Sequence, residues 1–86
     1  MQSNKKVWIV DDDKSIRWVL EKALKSNDVD IESFSRPEQV LEKIKNEEPD
    51  VIITDIRMPG MDGISLLDRI KQHSPNIPVI IMTAYS

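Results

Sequence analysis

The chain has 86 residues, which is the length of one small domain. Charged residues make up 31% of the sequence and apolar residues 40%, a composition typical of a globular protein and not of a disordered one. No apolar run approaches the roughly 18 residues of a membrane span and no signal-peptide core is present, so we expect a cytoplasmic location and no membrane contact. The absence of cysteine excludes disulfides and thiolate catalysis, and a net charge of -3 argues against direct nucleic-acid contact.

Four short apolar runs predict β-strands. Residues 6–10, 51–54 and 78–82 are too short for helices and are rich in valine and isoleucine, which favours buried strands. Residues 29–34 alternate apolar with polar side chains, which suits an edge strand with one wetter face.

The first predicted helix lies between the first two strands. Asp13 is suited to cap its start and Asn27 to end it. Its predicted buried face consists of apolar residues at three- and four-residue spacing, namely Ile16, Val19, Leu20, Ala23 and Leu24. Trp18 lies about 200° around the helix from Ile16, so we expect it to be partly exposed on neighbouring side-chain stems, with a partner contact as the alternative.

Two further helices are predicted by the same periodicity. Ser35 and Glu38 have the spacing of a capping box for the second helix, with Pro37 in its first turn. The third helix is expected to end near His73. The predicted apolar stripes are Val40, Leu41 and Ile44 in the second helix, and Ile64, Leu67 and Ile70 in the third.

This alternation of strands and helices indicates an α/β fold with a doubly wound parallel sheet and helices on both faces. Ligands of such sheets bind beyond the carboxyl ends of the strands. Polar side chains follow three of the four strands at this edge: Asp11 and Asp12 after the first, Asp55 after the third and Thr83 after the fourth.

Three carboxylates at one edge repel one another unless a cation lies among them. Mg2+ is the natural cation, because it prefers oxygen ligands and is held by one or two carboxylates together with phosphate oxygens. The arrangement therefore suits phosphoryl transfer, with Asp55 as nucleophile and the Thr83 hydroxyl as a donor to a phosphoryl oxygen. Taken singly, each residue has an ordinary structural role as well, such as a helix cap for Asp13 or a turn residue for Thr83.

Three sequence motifs resemble those of the receiver domain of bacterial two-component response regulators. They are Val10-Asp11-Asp12-Asp13, Asp55-Ile56-Arg57-Met58-Pro59-Gly60-Met61-Asp62-Gly63 and Pro78-Val79-Ile80-Ile81-Met82-Thr83-Ala84, in the family's order and spacing. Within that family, residues 15–20 and 81–86 are most similar to the nitrogen regulatory protein C group, whose members activate promoters served by an alternative sigma factor. The resemblance implies a flavodoxin-like fold.

The resemblance also implies the roles of individual residues. Asp55 is expected to be the phosphoacceptor, and Asp11 and Asp12 the acidic pair, although Asp13 leaves their register open by one residue. Asp12, Asp55 and the Arg57 backbone carbonyl are expected to bind Mg2+, with Asp11 beside them.

Two further positions follow the family pattern near the end of the chain. Thr83 is expected to be the hydroxyl that moves toward the phosphoryl group, and Tyr85 to occupy the switching aromatic position. The implied donor is a sensor histidine kinase and the implied role is control of a transcription activator, with no enzymatic activity beyond self-phosphorylation and autodephosphorylation.

The resemblance covers residues 1–86 as a receiver that ends early. A complete receiver has a sheet of order 2-1-3-4-5, so we expect the order 2-1-3-4 here, without the lysine that follows the fifth strand. The fourth strand would then be an uncharged open edge, which predicts impaired phosphorylation and self-association into a homodimer or larger species.

Two alternatives remain at this point. One is a phosphorylation-incompetent chain that only self-associates. The other is a Mg2+-dependent phosphohydrolase with Asp11 as nucleophile and Asp13 as acid/base.

Overall fold

The computed structural model describes residues 4–82, so the predictions for Thr83 and Tyr85 lie outside the described residues. Strands and helices alternate as the sequence predicts. In chain order the elements are β1 (Lys5–Val10), α1 (Lys14–Leu24), β2 (Val29–Phe34), α2 (Pro37–Lys43), β3 (Val51–Asp55), α3 (Gly63–His73) and β4 (Val79–Met82).

The four strands form one parallel sheet in the order β2-β1-β3-β4, which confirms the predicted topology. The chain reverses its winding direction after β2, so right-handed crossovers place α1 on one face of the sheet and α2 with α3 on the other. In the register, Val10 is paired with Thr54, and the carboxyl ends of β1 and β3 therefore lie side by side.

The main core lies between the sheet and the α2–α3 face. Trp8 is buried against Phe34, with ring centroids 5.4 Å apart in an edge-to-face arrangement. The other buried members of this cluster are Val10, Val40, Ile44, Ile52, Met58, Leu66, Ile70 and Ile77. Ile9 is fully buried on the opposite face, since successive strand residues alternate.

The predicted buried face of α1 is wrong in part. Ile16 is 41% exposed and Val19 is 53% exposed, and α1 contains no buried residue. The helix packs mainly across β1 and β2. Within residues 4–82 no second helix lies beside it over β3 and β4, and Ile80 of β4 is 52% exposed. Trp18 is exposed as predicted, with the Lys22 ammonium 5.4 Å from its ring centroid.

Two helix details also differ from the predictions. Asn27 does not end α1, because the helix stops at Leu24 and Lys25 forms its cap. The capping arrangement of α2 is shifted by one residue, since the Gln39 side chain accepts from the Arg36 backbone N–H at 3.0 Å and Glu38 is not involved.

The stripe of α3 needs a similar correction. Its buried residues include Leu66 and Ile70, whereas Ile64 is 50% exposed and Leu67 is only half-buried. Leu66 and Ile70 are four residues apart and share a face, while Ile64 lies about 200° from Leu66. Within residues 4–82, no helix has the length and apolar character needed to cross a membrane.

Candidate functional site

Three carboxylates meet at the carboxyl edge of the sheet. Asp11 and Asp12 follow β1, and Asp55 is the last residue of the neighbouring strand β3. One carboxylate oxygen from each residue lies within 4.8 Å of the other two. The three carboxylates meet because β1 and β3 are parallel neighbours whose pairing register aligns their carboxyl ends, with Val10 opposite Thr54.

Asp11 is the buried member of this acidic cluster, with only 3% of its surface exposed. Burial raises the pKa of its carboxyl group, and the negative charges of Asp55 and Asp12 raise it further. A hydrogen bond from the Asp13 backbone N–H, at 2.8 Å, partly opposes this rise in pKa. In addition, the Arg17 guanidinium donates to the Asp11 backbone carbonyl at 2.5 Å and ties α1 to the end of β1.

Asp13 has a different role from its two neighbours. Its side chain caps α1 by accepting hydrogen bonds from the backbone N–H groups of Ser15, at 2.8 Å, and Ile16, at 3.4 Å. The predicted capping role is therefore confirmed. The three carboxylates that come together are those of Asp11, Asp12 and Asp55, so the structure brings Asp11 and Asp12, the predicted acidic pair, beside Asp55.

The backbone after Asp55 is fixed by contacts from several elements. The Ile56 N–H donates to the Met82 carbonyl at 3.1 Å, and the Ile56 carbonyl accepts from the Gly63 N–H at 2.9 Å. The buried Thr54 hydroxyl donates to the Asp55 carbonyl at 3.0 Å. Gly60, with a φ of 86°, allows the turn that leads to α3.

Sequence reasoning did not identify Thr54 and Gly63 as parts of this site. A hydroxyl inside an otherwise apolar buried strand was the available signal for Thr54, because buried hydroxyls need a hydrogen-bond partner. No comparable sequence feature marks Gly63, because its contacts with the backbone of residues 55 and 56 are visible only in the three-dimensional structure.

The acidic cluster fits a magnesium ion. Oxygen ligands of Mg2+ lie 2.0–2.1 Å from the ion, so two of them are at most about 4.2 Å apart. Carboxylates within 4.8 Å reach this spacing with small side-chain movements, or with one of them bound through a water molecule. Arg57 is exposed two residues after Asp55, and its carbonyl as a ligand stays a prediction.

A doubly wound α/β domain with three carboxylates at the carboxyl edge of its sheet belongs to the class of domains that can hold a divalent cation at that edge. The family described as the response regulator receiver domain matches residues 7–86, and this chain belongs to that family. Receiver domains generally bind Mg2+ at an acidic pocket and interact with histidine kinases.

Curated relatives include the DNA-binding transcriptional regulator NtrC of Escherichia coli (strain K12). It is 56% identical over 80 residues, which is 93% of this chain and 17% of the relative. Sporulation initiation phosphotransferase F of Bacillus subtilis (strain 168) is 40% identical over 82 residues, or 95% of this chain and 66% of that protein. The chain thus spans about a sixth of the length of its NtrC relatives.

Solved structures show the same fold. The apo receiver domain of nitrogen regulatory protein C matches with a TM-score of 0.86 and 52% identity, covering 99% of this chain and 68% of the other. A transiently phosphorylated "switch" in bacterial signal transduction matches with a TM-score of 0.79 and 52% identity, covering 96% of this chain and 67% of the other. The predicted flavodoxin-like α/β class is confirmed.

Proposed function

We propose that this chain is a phosphoacceptor module that takes a phosphoryl group from a sensor histidine kinase onto Asp55. One observation carries the proposal: Asp55 is the last residue of β3, and its carboxylate lies within 4.8 Å of the carboxylates of Asp11 and Asp12. Asp55 is half-buried, so a donor can approach it, whereas Asp11 is enclosed and suited to a supporting role.

In the proposed reaction, a carboxylate oxygen of Asp55 attacks the donor phosphorus from the side opposite the leaving group. The new oxygen–phosphorus bond forms as the bond to the donor breaks, and the leaving group departs with that bond's electron pair. When bound, Mg2+ supplies neutralisation of the charge on the phosphoryl oxygens. Asp11 and Asp12 would hold the ion, together with Asp55 and the Arg57 carbonyl.

Two further residues have roles in the same proposal. The Thr83 hydroxyl would move toward the phosphoryl group and donate a hydrogen bond to it, and Tyr85 would change position in response to the movement of Thr83. Similarity to NtrC supports control of a transcription activator in nitrogen assimilation, at promoters that use sigma-54, from a cytoplasmic location. Beyond accepting and losing its own phosphoryl group, the chain would have no enzymatic turnover.

The direct test is incubation with a small acyl phosphate and Mg2+, followed by intact-mass measurement. We expect one added phosphoryl group in the wild type, none in Asp55→Asn, and an unchanged yield in Asp68→Asn, which alters an exposed carboxylate on α3. An adduct of equal yield in Asp55→Asn would contradict the assignment. The same experiment separates phosphorylation from the alternative of a chain that only self-associates.

Self-association through β4 is a second candidate function. Within the described sheet β4 has one neighbouring strand, so its other edge presents unpaired backbone groups, and Ile80 on this strand is 52% exposed. The strand at the opposite edge, β2, carries Asp30 and Glu32, charges of the kind that discourage edge pairing.

Light scattering during size exclusion tests this second candidate. We expect a dimer or larger species at tens of micromolar that Ile80→Lys converts to monomer. Ile64→Lys is the matched control, because it makes the same change at a residue of α3 that is 50% exposed, and it should leave the association intact. A wild type that is monomeric would refute the candidate.

The phosphohydrolase alternative would require Asp13 as acid/base, a role that competes with the hydrogen bonds by which the Asp13 carboxylate caps α1.

A further inference from the structure

Gly63, the buried first residue of α3, lies against the main chain of the proposed phosphoacceptor. Its N–H donates to the Ile56 carbonyl at 2.9 Å. A Cβ atom built on Gly63 would overlap the carbonyl oxygen of Asp55, and it would lie 3.0 Å from the Ile56 Cα and 3.1 Å from the Asp55 carbonyl carbon. The space that a side chain would need is therefore filled by the backbone of residues 55 and 56.

The requirement for glycine at this position is one of space and not of backbone conformation. Among the described glycines only Gly60 has a positive φ, of 86°, so alanine can adopt the backbone angles of Gly63. The reverse holds at Gly60, where the nearest atom to a built Cβ is a Glu38 side-chain oxygen at 3.8 Å. Gly60 therefore needs its φ, while Gly63 needs the absence of a Cβ.

The Asp55 carbonyl also has a second restraint. The Thr54 hydroxyl donates to it at 3.0 Å, and Thr54 is fully buried. The next peptide is held by β4, because the Ile56 N–H donates to the Met82 carbonyl at 3.1 Å. A Cβ at residue 63 must push against backbone that is held on both sides, so the displacement passes to Asp55 itself.

We propose that Gly63 and Thr54 are positioning residues that fix the Asp55 peptide, and through it the distance of the Asp55 carboxylate from Asp11 and Asp12. This inference rests on the proposed function of the site. Misplacement of reacting groups by about 1 Å can cost about 100-fold in rate. The contacts described for both residues are with the main chain of residues 55 and 56, so both would act through Asp55.

The test compares Gly63→Ala with Gly60→Ala, which makes the same substitution three residues earlier. Urea denaturation first shows how much stability each variant loses, and further measurements use conditions in which both are folded. Titration calorimetry with Mg2+ alone then reports the geometry of the carboxylates without any phosphoryl transfer. We expect the Mg2+ affinity to fall about 10-fold or more in Gly63→Ala and to change less than about 2-fold in Gly60→Ala. Phosphorylation by an acyl phosphate should be about 10- to 100-fold slower in Gly63→Ala and close to the wild-type rate in Gly60→Ala.

If Gly63→Ala does not fold, the Thr54 restraint provides the test. Thr54→Val keeps the shape of the side chain and removes the hydroxyl, and we expect it to weaken Mg2+ binding several-fold, whereas Thr54→Ser should restore wild-type affinity. Equal Mg2+ affinities for Gly63→Ala and Gly60→Ala, or for Thr54→Val and Thr54→Ser, would overturn the proposal. A wild type without Mg2+ binding would overturn it as well.

The two proposals can fail separately. A wild type that binds Mg2+ but gains no phosphoryl group contradicts the phosphoacceptor role of Asp55, while the Mg2+ affinities of the variants still decide the roles of Gly63 and Thr54.

Discussion

Replacing Asp11 by asparagine should stabilise the fold when no divalent cation is present. The Asp11 carboxylate is buried and has two carboxylates within 4.8 Å, and an asparagine oxygen can still accept the hydrogen bond from the Asp13 N–H. Two like charges 4.8 Å apart repel by about 0.9 kcal/mol in water and by about 3.5 kcal/mol at an effective dielectric constant of about 20. Because Asp12 is exposed and its charge is screened, we expect a net gain of about 1–3 kcal/mol at pH 7.

Urea denaturation in the presence of a chelator measures this gain, with Asp68→Asn as the control for removing an exposed charge. A gain of this size corresponds to a Tm rise of about 4 °C or more for a domain of this length. The pKa of Asp11 is raised in the folded chain, so its ionisation destabilises the fold. The penalty is absent below the unfolded pKa of about 3.9 and develops as the pH rises through the folded pKa, so the advantage of Asp11→Asn should disappear near pH 3.

Saturating Mg2+ should offset most or all of the stability advantage of Asp11→Asn. A ligand at 100 times its dissociation constant adds about 2.7 kcal/mol to the wild type, and Asp11→Asn should gain much less because its site has lost one negative charge. If Asp11→Asn is no more stable than the wild type in chelator, or if Mg2+ stabilises both equally, repulsion within the acidic cluster is not the controlling effect.

Two further predictions concern α3. Leu66→Ala should lower the free energy of unfolding by about 2–5 kcal/mol, because Leu66 is fully buried. Ile64→Ala changes a residue that is 50% exposed and should lower it by less than about 1.5 kcal/mol. If urea denaturation shows similar losses for the two variants, the core is misassigned. Asp62 caps α3, and the backbone N–H of Ser65 lowers the pKa of its carboxyl group. The stabilising effect of the Asp62 cap should therefore be complete above the unfolded pKa of about 3.9 and decline as the pH falls through the lowered folded pKa. The Tm values of Asp62→Ala and the wild type should differ at pH 7 and converge at strongly acidic pH. A difference in Tm that does not change with pH would contradict this.

The order of elements and the acidic cluster could be predicted because they depend on local pattern and on one topological rule. Apolar runs define the strands, parallel crossovers bring their carboxyl ends to one edge, and Asp11, Asp12 and Asp55 follow directly. The sequence left open which two of the three consecutive aspartates form the acidic pair, because all three directly follow β1; the structure brings the carboxylates of Asp11 and Asp12 together with that of Asp55, while the Asp13 carboxylate caps α1.

What the sequence could not supply was information about neighbours. Periodicity shows that Ile16 and Val19 share a face of α1, but not that this face lies over only half of the sheet. Likewise, Gly63 reads as one residue of a turn motif until the Asp55 carbonyl is found in the space beside it. Close approach of two backbone segments leaves no periodic pattern in a single sequence.

The phosphoacceptor role of Asp55 is tested most directly by locating the modified residue. Borohydride reduces an aspartyl phosphate to homoserine, and fragmentation of the resulting peptides identifies the position by mass. After treatment with an acyl phosphate and Mg2+, we expect homoserine at residue 55 and unmodified aspartate at Asp11, Asp12 and Asp13. Homoserine at any of those three positions, or none at residue 55 in a chain that binds Mg2+, would contradict this role.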